Sequence, residues 1–247
     1  MAKEQRFPEL DFFRGIGIAM MVVFHFVFDL FYFGLSTVQP YEGFWLIFQR
    51  TTATLLLLLV GISLSISYDR AQLNGEKSLF LKFFKRSLFL GMIALAITLA
   101  TWVYPGKGFI LFGIIHLIAL SIFLGYFFQR FKFFNLVLGL TLISAGLFLG
   151  FNHVTTEVPF LLWLGIPPAN FFTLDYFPLL PWFGIVLIGI FLGKQFYPKA
   201  QRPRSFTVPE HRAFKVLSWA GKQSLWIYMI HQLFLVGIIQ LYLWVLK

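Results

Sequence analysis

The sequence of 247 residues contains no cysteine. This absence excludes a disulfide framework, a thiol nucleophile and any metal site built on thiolate ligands. Charged residues are also scarce, at 12% of the chain, and only 10 residues are acidic. Since a typical soluble domain carries about 25% charged residues, this composition does not describe an ordinary soluble domain.

Long apolar runs take the place of the missing charge. Hydrophobic residues make up 59% of the chain, aromatic residues make up 20%, and the mean hydropathy is +0.80. A helix needs about 20 apolar residues to cross the hydrocarbon core of a bilayer. We predict seven spans, at about 11–34, 44–68, 86–104, 109–128, 133–151, 178–196 and 224–246. The sequence therefore predicts an all-α, polytopic transmembrane helical bundle of about seven helices.

This bundle is predicted to form one membrane-embedded domain over residues 1–247, in a cell membrane, with the lipid bilayer as its first partner. Two other stretches are not predicted to span. Residues 158–168 are apolar but short, and their paired prolines favour an interfacial or re-entrant segment. Residues 197–215 are basic and rich in proline, which favours a loop without a core of its own. The sequence leaves both a monomer and a homo-oligomer open.

The basic residues predict the orientation of the helices. With a cytoplasmic N-terminus, every lysine and arginine except Arg50, Lys107 and Lys247 falls on the cytoplasmic side. Lysine and arginine are retained on that side of a membrane, so the pattern predicts an N-in, C-out topology. The same pattern explains the net charge of +10 without a nucleic-acid partner.

The first predicted helix carries an unusual polar stripe within the sequence FRGIGIAMMVVFHFVFDLF (13–31). At 100° per residue, Asp11, Arg14, His25 and Asp29 share an arc of about 60°. A charged side chain inside a bilayer costs about 2.5 to 3.5 kcal/mol, so such a stripe must face a bundle interior or a watery cavity. His25 and Asp29 are the two deeper members and are the stronger functional candidates.

Other ionisable residues are predicted at a matching depth. His25 lies about 13 Å from the outer end of its helix, and His116 lies about 10 Å from the outer end of the fourth helix. The predicted polar cluster in the outer half of the membrane consists of His25, Asp29, Arg50, His116 and Asp175. His231 is predicted nearer the cytoplasmic face.

Three functions fit such a cluster to different degrees. A metal site fits poorly, because no two histidines have ligand spacing on one helix. A proton-coupled carrier that uses the polar cluster of His25, Asp29 and His116 is the alternative to an enzyme, although repeated halves and paired broken helices are missing. In an enzyme, His25 is a general base whose tautomer is set by Asp29, one turn away. Beside the enzyme and the carrier, a scaffold subunit whose stripe binds a partner helix is a further possibility.

Five blocks of the sequence, in order along the chain, resemble those of a known family. The blocks are LDFFRGIGIAMMVVFHFVFDL, LLLLVGISLSIS, GIIHLIALSIFLGYFF, DYFPLLPWFGIVLIGIFLGKQFYP and GKQSLWIYMIHQ. They resemble the prokaryotic relatives of heparan-alpha-glucosaminide N-acetyltransferase, an integral-membrane acyltransferase family. The ten residues between Arg14 and His25 also resemble the Arg-x10-His spacing of broader membrane acyltransferases that modify envelope sugars.

The resemblance implies transfer of an acyl group, most simply acetyl, from cytoplasmic acyl-CoA to a hydroxyl or amine of a sugar-like acceptor. It implies no metal. His25 is then the expected base, and His116 is a second base or an oxyanion donor. Arg14 is expected to attract CoA, as are Lys82, Lys85 and Arg86. The residues expected to bind the acceptor are Arg50, Asp175, Trp182 and His231, with Trp163 and Trp182 as walls for a sugar ring or as interfacial residues.

Overall fold

The computed structural model describes residues 6–202, 209 and 211–245. The described residues form eight α-helices and two short 3₁₀ helices. In chain order the α-helices are α1 (Pro8–Tyr32), α2 (Gly43–Leu73), α3 (Leu79–Val103), α4 (Ile114–Phe127), α5 (Phe133–Phe151), α6 (Leu179–Phe196), α7 (Arg212–Lys222) and α8 (Ser224–Val245). The 3₁₀ helices are Pro159–Leu164 and Pro198–Ala200.

The predicted all-helical, multi-pass architecture is confirmed. Six of the described helices, α1, α2, α3, α5, α6 and α8, are long and apolar enough to cross a bilayer. Residues 158–168 contain only a six-residue 3₁₀ helix, as their prolines and short length predict. Residues 203–208 and 210 of the predicted basic loop lie outside the described residues. The helix α7, which begins at Arg212 inside that predicted loop, was not expected.

The fourth predicted span was too long. The prediction began it at about residue 109, whereas α4 begins at Ile114 and contains 14 residues. The apolar residues before α4 are extended, and the backbone N–H of Leu174 donates to the carbonyl of Gly108. Phe112 likewise forms a parallel bridge with Tyr176. Hydropathy cannot distinguish such a paired apolar segment from the first turn of a helix.

The chain divides into two compact units. Unit 1 comprises Met1–Leu59 and Ser205–Lys247, and unit 2 comprises Val60–Arg204. The prediction of a single domain stays a prediction. The boundary falls within α2, after Leu59.

In unit 1, α7 packs closely against the first turns of α1. The buried residues of α7 are Phe214, Ser218 and Gly221. The ring of Phe214 stacks on Phe12 at a centroid distance of 4.8 Å. Gly221 lies against the backbone carbonyl of Asp11, where a Cβ would collide with that oxygen. Glycine is therefore required for this close approach of the two helices.

In unit 2, small residues let α2 approach α6. A Cβ on Gly61 would lie 2.8 Å from the Cα of Gly189, and one on Gly193 would lie 2.8 Å from the Cβ of Ser65. Small residues on facing helices allow this close packing inside a membrane, where burial of apolar surface does not drive association. Outside the helices, residues 108–112 pair with residues 174–177 through backbone hydrogen bonds.

Candidate functional site

Two histidines face each other in unit 1. His25 projects from α1 and His231 from α8, and their ring centroids lie 4.8 Å apart at an interplanar angle of 74°. His231 is buried, with 8% of its surface exposed, whereas His25 is half-buried. The pair gives unit 1 two imidazoles at one level of the helix bundle.

Backbone carbonyls fix the same tautomer in both rings. Nδ1 of His25 lies 3.0 Å from the carbonyl oxygen of Met21, and Nδ1 of His231 lies 2.6 Å from that of Tyr228. A carbonyl only accepts hydrogen bonds, so each Nδ1 carries the proton and each Nε2 holds a lone pair. Nε2 of His231 is buried and has no hydrogen-bond partner among the described residues. Both rings are therefore poised to accept a proton or a hydrogen bond.

The orientation of His25 differs from the prediction. Asp29 was expected to set its tautomer, but the carbonyl of Met21, one turn earlier on the same helix, does so. The carboxylate of Asp29 instead accepts a hydrogen bond of 2.7 Å from Nε2 of Gln232 on α8. Asp29 is only 1% exposed, and none of the described residues forms a hydrogen bond to its second oxygen. Asp29 thus connects α1 to α8.

The predicted depth of His231 was wrong. The sequence places it nearer the cytoplasmic face, because it lies only seven residues into its own helix. In the structure its ring contacts that of His25, which lies 17 residues into α1. The intervening α7 explains the difference, because it packs beside the first turns of α1 and α8 begins only after it.

Arg14 and Arg50, the two arginines of unit 1 that the sequence predicts to bind substrate, have different surroundings. Nη1 of Arg14 lies 2.6 Å from Oδ1 of Asp11, and the two side chains are 28% and 7% exposed. The other oxygen of Asp11 is buried and has no hydrogen-bond partner in the part of the chain that the structure describes. Arg50 is exposed on the second turn of α2. Asp11 and Arg14, the two members of the predicted stripe nearest the start of α1, therefore pair with each other.

In unit 2, both ring nitrogens of His116 take part in hydrogen bonds. The backbone N–H of Gly113 donates to Nδ1 at 3.2 Å, and Nε2 lies 3.2 Å from Oγ1 of Thr98. That hydroxyl also donates to the carbonyl of Ile110 at 2.7 Å. His116 thus caps α4 and ties the preceding segment to α3, a structural task that the sequence did not predict.

Asp175 has a related task. Its Oδ2 accepts a hydrogen bond of 2.9 Å from the backbone N–H of Ile114, the first residue of α4. Burial raises the pKa of Asp175 to about 6, although the hydrogen bond from Ile114 acts in the opposite direction. A carboxylate at a helix N-terminus satisfies an unpaired N–H and interacts favourably with the helix dipole. Asp175 therefore stabilises the start of α4.

Trp182 lies in the first turns of α6, half-buried, with its ring 4.9 Å from that of Phe177. Trp163 lies in the 3₁₀ helix Pro159–Leu164, with its ring 6.2 Å from that of Phe160.

Unit 2 also contains an open cavity of about 660 Å³ between its non-helical segments. Its lining combines aromatic rings with hydroxyl, amide and carboxylate groups, among them Phe109, Thr155, Glu157, Asn170 and Phe172. Neither tryptophan is among the residues that line it.

Among the described residues, no group of three or more histidine, aspartate or glutamate side chains is arranged to hold a metal ion.

Sequence reasoning missed Gln232 as a member of the site. A signal for it exists, because Gln232 directly follows His231 in the sequence MIHQ. The neighbouring residue on a helix lies about 100° away, so both side chains can reach the same adjoining helix.

A family model described as heparan-alpha-glucosaminide N-acetyltransferase, catalytic, matches residues 6–233 of the chain. The match includes every residue of the histidine pair and of the Asp29–Gln232 pair. No curated protein and no solved structure matches the chain.

Proposed function

Since the chain belongs to the family of heparan-alpha-glucosaminide N-acetyltransferase catalytic domains, we propose that it transfers an acyl group from acyl-CoA to a sugar-like acceptor. The acyl group is most simply acetyl, and the acceptor presents a hydroxyl or an amine. The family supports membrane acetyl transfer in general. The donor, the acceptor and the base are the parts that we propose.

His25 is the proposed general base, and the observation that carries this role is the state of its ring. Nδ1 is held by the carbonyl of Met21, which leaves the lone pair on Nε2, and the side chain is half-buried. A neutral imidazole of this kind can remove the proton from an acceptor hydroxyl or amine. The acceptor oxygen or nitrogen then bonds to the thioester carbonyl carbon. The carbon–sulfur bond breaks, and the CoA thiolate accepts the proton from His25 and leaves as the free thiol.

His231 is proposed to bind the acceptor, because its buried Nε2 is a hydrogen-bond acceptor to which no described residue donates. An acceptor N–H or O–H could fill this position beside His25. Asp29 is proposed as a positioning residue, since it joins α1 to α8 through Gln232 and thereby holds the two rings together. A buried polar group left without a partner is costly, which favours a ligand that satisfies it.

The remaining roles follow the sequence predictions. Arg14 is proposed to attract the phosphates of CoA, because phosphate binding by arginine is strong and the guanidinium remains partly exposed. Arg50, Asp175 and Trp182 stay proposed acceptor-binding residues. His116 stays a proposed second base or oxyanion donor, with the condition that its hydrogen bonds to Gly113 and Thr98 rearrange.

Release of free CoA from acetyl-CoA tests the proposal. The chain contains no cysteine, so a thiol-reactive dye reports CoA alone. Purified protein in detergent is incubated with acetyl-CoA and either glucosamine, which offers an amine, or methyl glucoside, which offers only hydroxyls. We expect His25→Ala and His25→Gln to lose at least about 100-fold in rate, the usual contribution of a general base.

His153→Asn is the matched control. His153 is an exposed histidine with a positive φ of 48°, a conformation that asparagine tolerates. We expect this variant to keep the wild-type rate. Retained turnover in a folded His25→Ala variant would remove His25 from the role of base. If calorimetry shows that the folded wild type binds acyl-CoA of no chain length, the proposal that acyl-CoA is the donor is wrong. Solute uptake by liposomes that contain the protein would then favour the carrier.

A further inference from the structure

The amphipathic helix α7 has three distinct faces, and the described residues cover only one of them. At 100° per residue, the buried residues Phe214, Ser218 and Gly221 fall within an arc of about 60°. They contact α1 through the Phe12–Phe214 stack and through the hydroxyl of Ser218, which donates to the carbonyl of Pro8 at 3.3 Å. Most of the remaining arc is exposed, whereas Leu217 and Ala220 are half-buried.

That exposed arc separates into a basic edge and an apolar edge. Lys215 and Lys222 lie about 20° apart on the first edge, and Arg212 continues it. The apolar edge consists of Ala213, Val216 and Ala220, which fall within about 60° of one another. Val216 is 55% exposed. No acidic residue lies on α7 to neutralise its cations.

Viewed down the axis of α7, Trp219 lies at an angle between those of Lys215 and Arg212. Its side chain is 61% exposed. Tryptophan is enriched at the level of lipid headgroups, where its ring meets apolar chains and its N–H meets polar groups. A helix that combines a basic edge, an apolar edge and a tryptophan has the pattern of a segment that lies in the membrane interface.

The packing on α1 places α7 at that level. The helix α1 has 25 residues, or about 37 Å, whereas the hydrocarbon core is about 30 Å thick. Its first turns therefore extend to the headgroup region. The residues of α1 that contact α7 are Pro8, Asp11, Phe12 and Gly15, all within those first turns.

We propose that α7 lies in the membrane interface and binds anionic phospholipid headgroups through Arg212, Lys215 and Lys222, with Val216 directed toward the acyl chains. The predicted orientation puts this helix in the cytoplasmic leaflet, where anionic lipids attract basic segments. The inference concerns a different surface from the histidine pair and does not depend on acyl transfer.

Spin labels on single cysteines test the depth of each edge. Because the chain lacks cysteine, Val216→Cys and Lys215→Cys variants are each labelled at one position. The full chain is reconstituted in vesicles, and collision with oxygen is compared with collision with a water-soluble nickel chelate. Met92→Cys, at an exposed position in the middle of α3, is the reference inside the bilayer, and Glu42→Cys is the aqueous reference.

We expect the collision rates of the label at residue 216 with oxygen and with the nickel chelate to resemble those of the label at residue 92. The collision rates of the label at residue 215 should resemble those of the label at residue 42. Equal exposure of the labels at 215 and 216 to the nickel chelate would overturn the interfacial placement.

Thermal unfolding in nanodiscs tests the preference for anionic lipid. We expect the wild type to unfold about 2 to 4 °C higher with 30% phosphatidylglycerol than with phosphatidylcholine alone, a shift typical of a modest stabilisation in a chain of this size. The double variant Lys215→Gln/Lys222→Gln should lose at least half of that shift. The matched double variant Arg130→Gln/Lys132→Gln removes equal charge from another predicted cytoplasmic segment and should lose less. An equal loss in both variants would overturn the assignment to α7.

Discussion

Replacement of Gln232 by leucine should expose how strongly α1 and α8 are joined. The amide of Gln232 donates to Asp29 over 2.7 Å, and Asp29 is only 1% exposed. Leucine has a similar volume but no donor, so Gln232→Leu leaves both oxygens of a buried carboxyl group without a partner. The protein should lose stability, and the two histidine rings should lose their fixed separation.

The magnitude follows from the short bond and the deep burial. Hydrogen bonds between membrane helices contribute about 0.6 kcal/mol on average and about 1.7 kcal/mol at most. Because the Asp29–Gln232 bond is short and its carboxylate is buried, we place its coupling free energy near the upper value, at about 1.5 kcal/mol. This coupling corresponds to roughly a tenfold change in the unfolding equilibrium.

A double-mutant cycle measures this coupling. The free energy of unfolding is determined by detergent titration for the wild type, Gln232→Leu, Asp29→Leu and the double variant. We expect the double variant to be more stable than the sum of the single effects predicts, because leucine at both positions leaves no unpaired polar group. Gln240→Leu, at an exposed position of α8, should show no coupling to Asp29→Leu. Additivity of the Gln232 and Asp29 effects within about 0.4 kcal/mol would refute the reasoning.

Two further perturbations test other contacts. Gly221→Ala should destabilise the protein by about 1 to 3 kcal/mol, because the added Cβ would collide with the carbonyl of Asp11. Gly237→Ala should not destabilise it, because a Cβ at residue 237 meets open space. Similar unfolding temperatures for the two variants would contradict this packing. For Asp175, the folded pKa of about 6 exceeds the ordinary value of 3.8, so the free energy of unfolding should fall as the pH rises from about 4 to about 6. Asp175→Asn keeps an oxygen for the N–H of Ile114 and should lose that slope; an unchanged pH profile by thermal unfolding would contradict the assignment.

Much of the fold follows from local composition. The helix α5 was predicted over 133–151 and is observed over Phe133–Phe151. Such spans can be predicted from the sequence because length and hydropathy alone decide whether a helix can cross a bilayer. The start of α4 at Ile114 was not predictable in this way. It depends on the capping side chain of Asp175, which lies 61 residues away along the chain.

The candidate site was only partly predictable. Helical periodicity placed His25 and Asp29 on one face of α1, since their angular relation depends only on the number of residues between them. Periodicity could not say which atom would orient His25, because a backbone carbonyl and a carboxylate lie at similar distances along the helix. Its Nδ1 is held by Met21, while Asp29 is engaged by Gln232.

The sequence by itself determined that this chain is a multi-pass membrane protein with a polar stripe on its first helix, because both properties depend on neighbours along the chain. The tertiary structure decided which residues meet that stripe. Gly221 lets α7 pack against the backbone of α1, and this contact sets the level at which α8 begins. His231 reaches His25 only because of that level, and contact between helices nearly 200 residues apart along the chain is a property of packing, which no local pattern encodes.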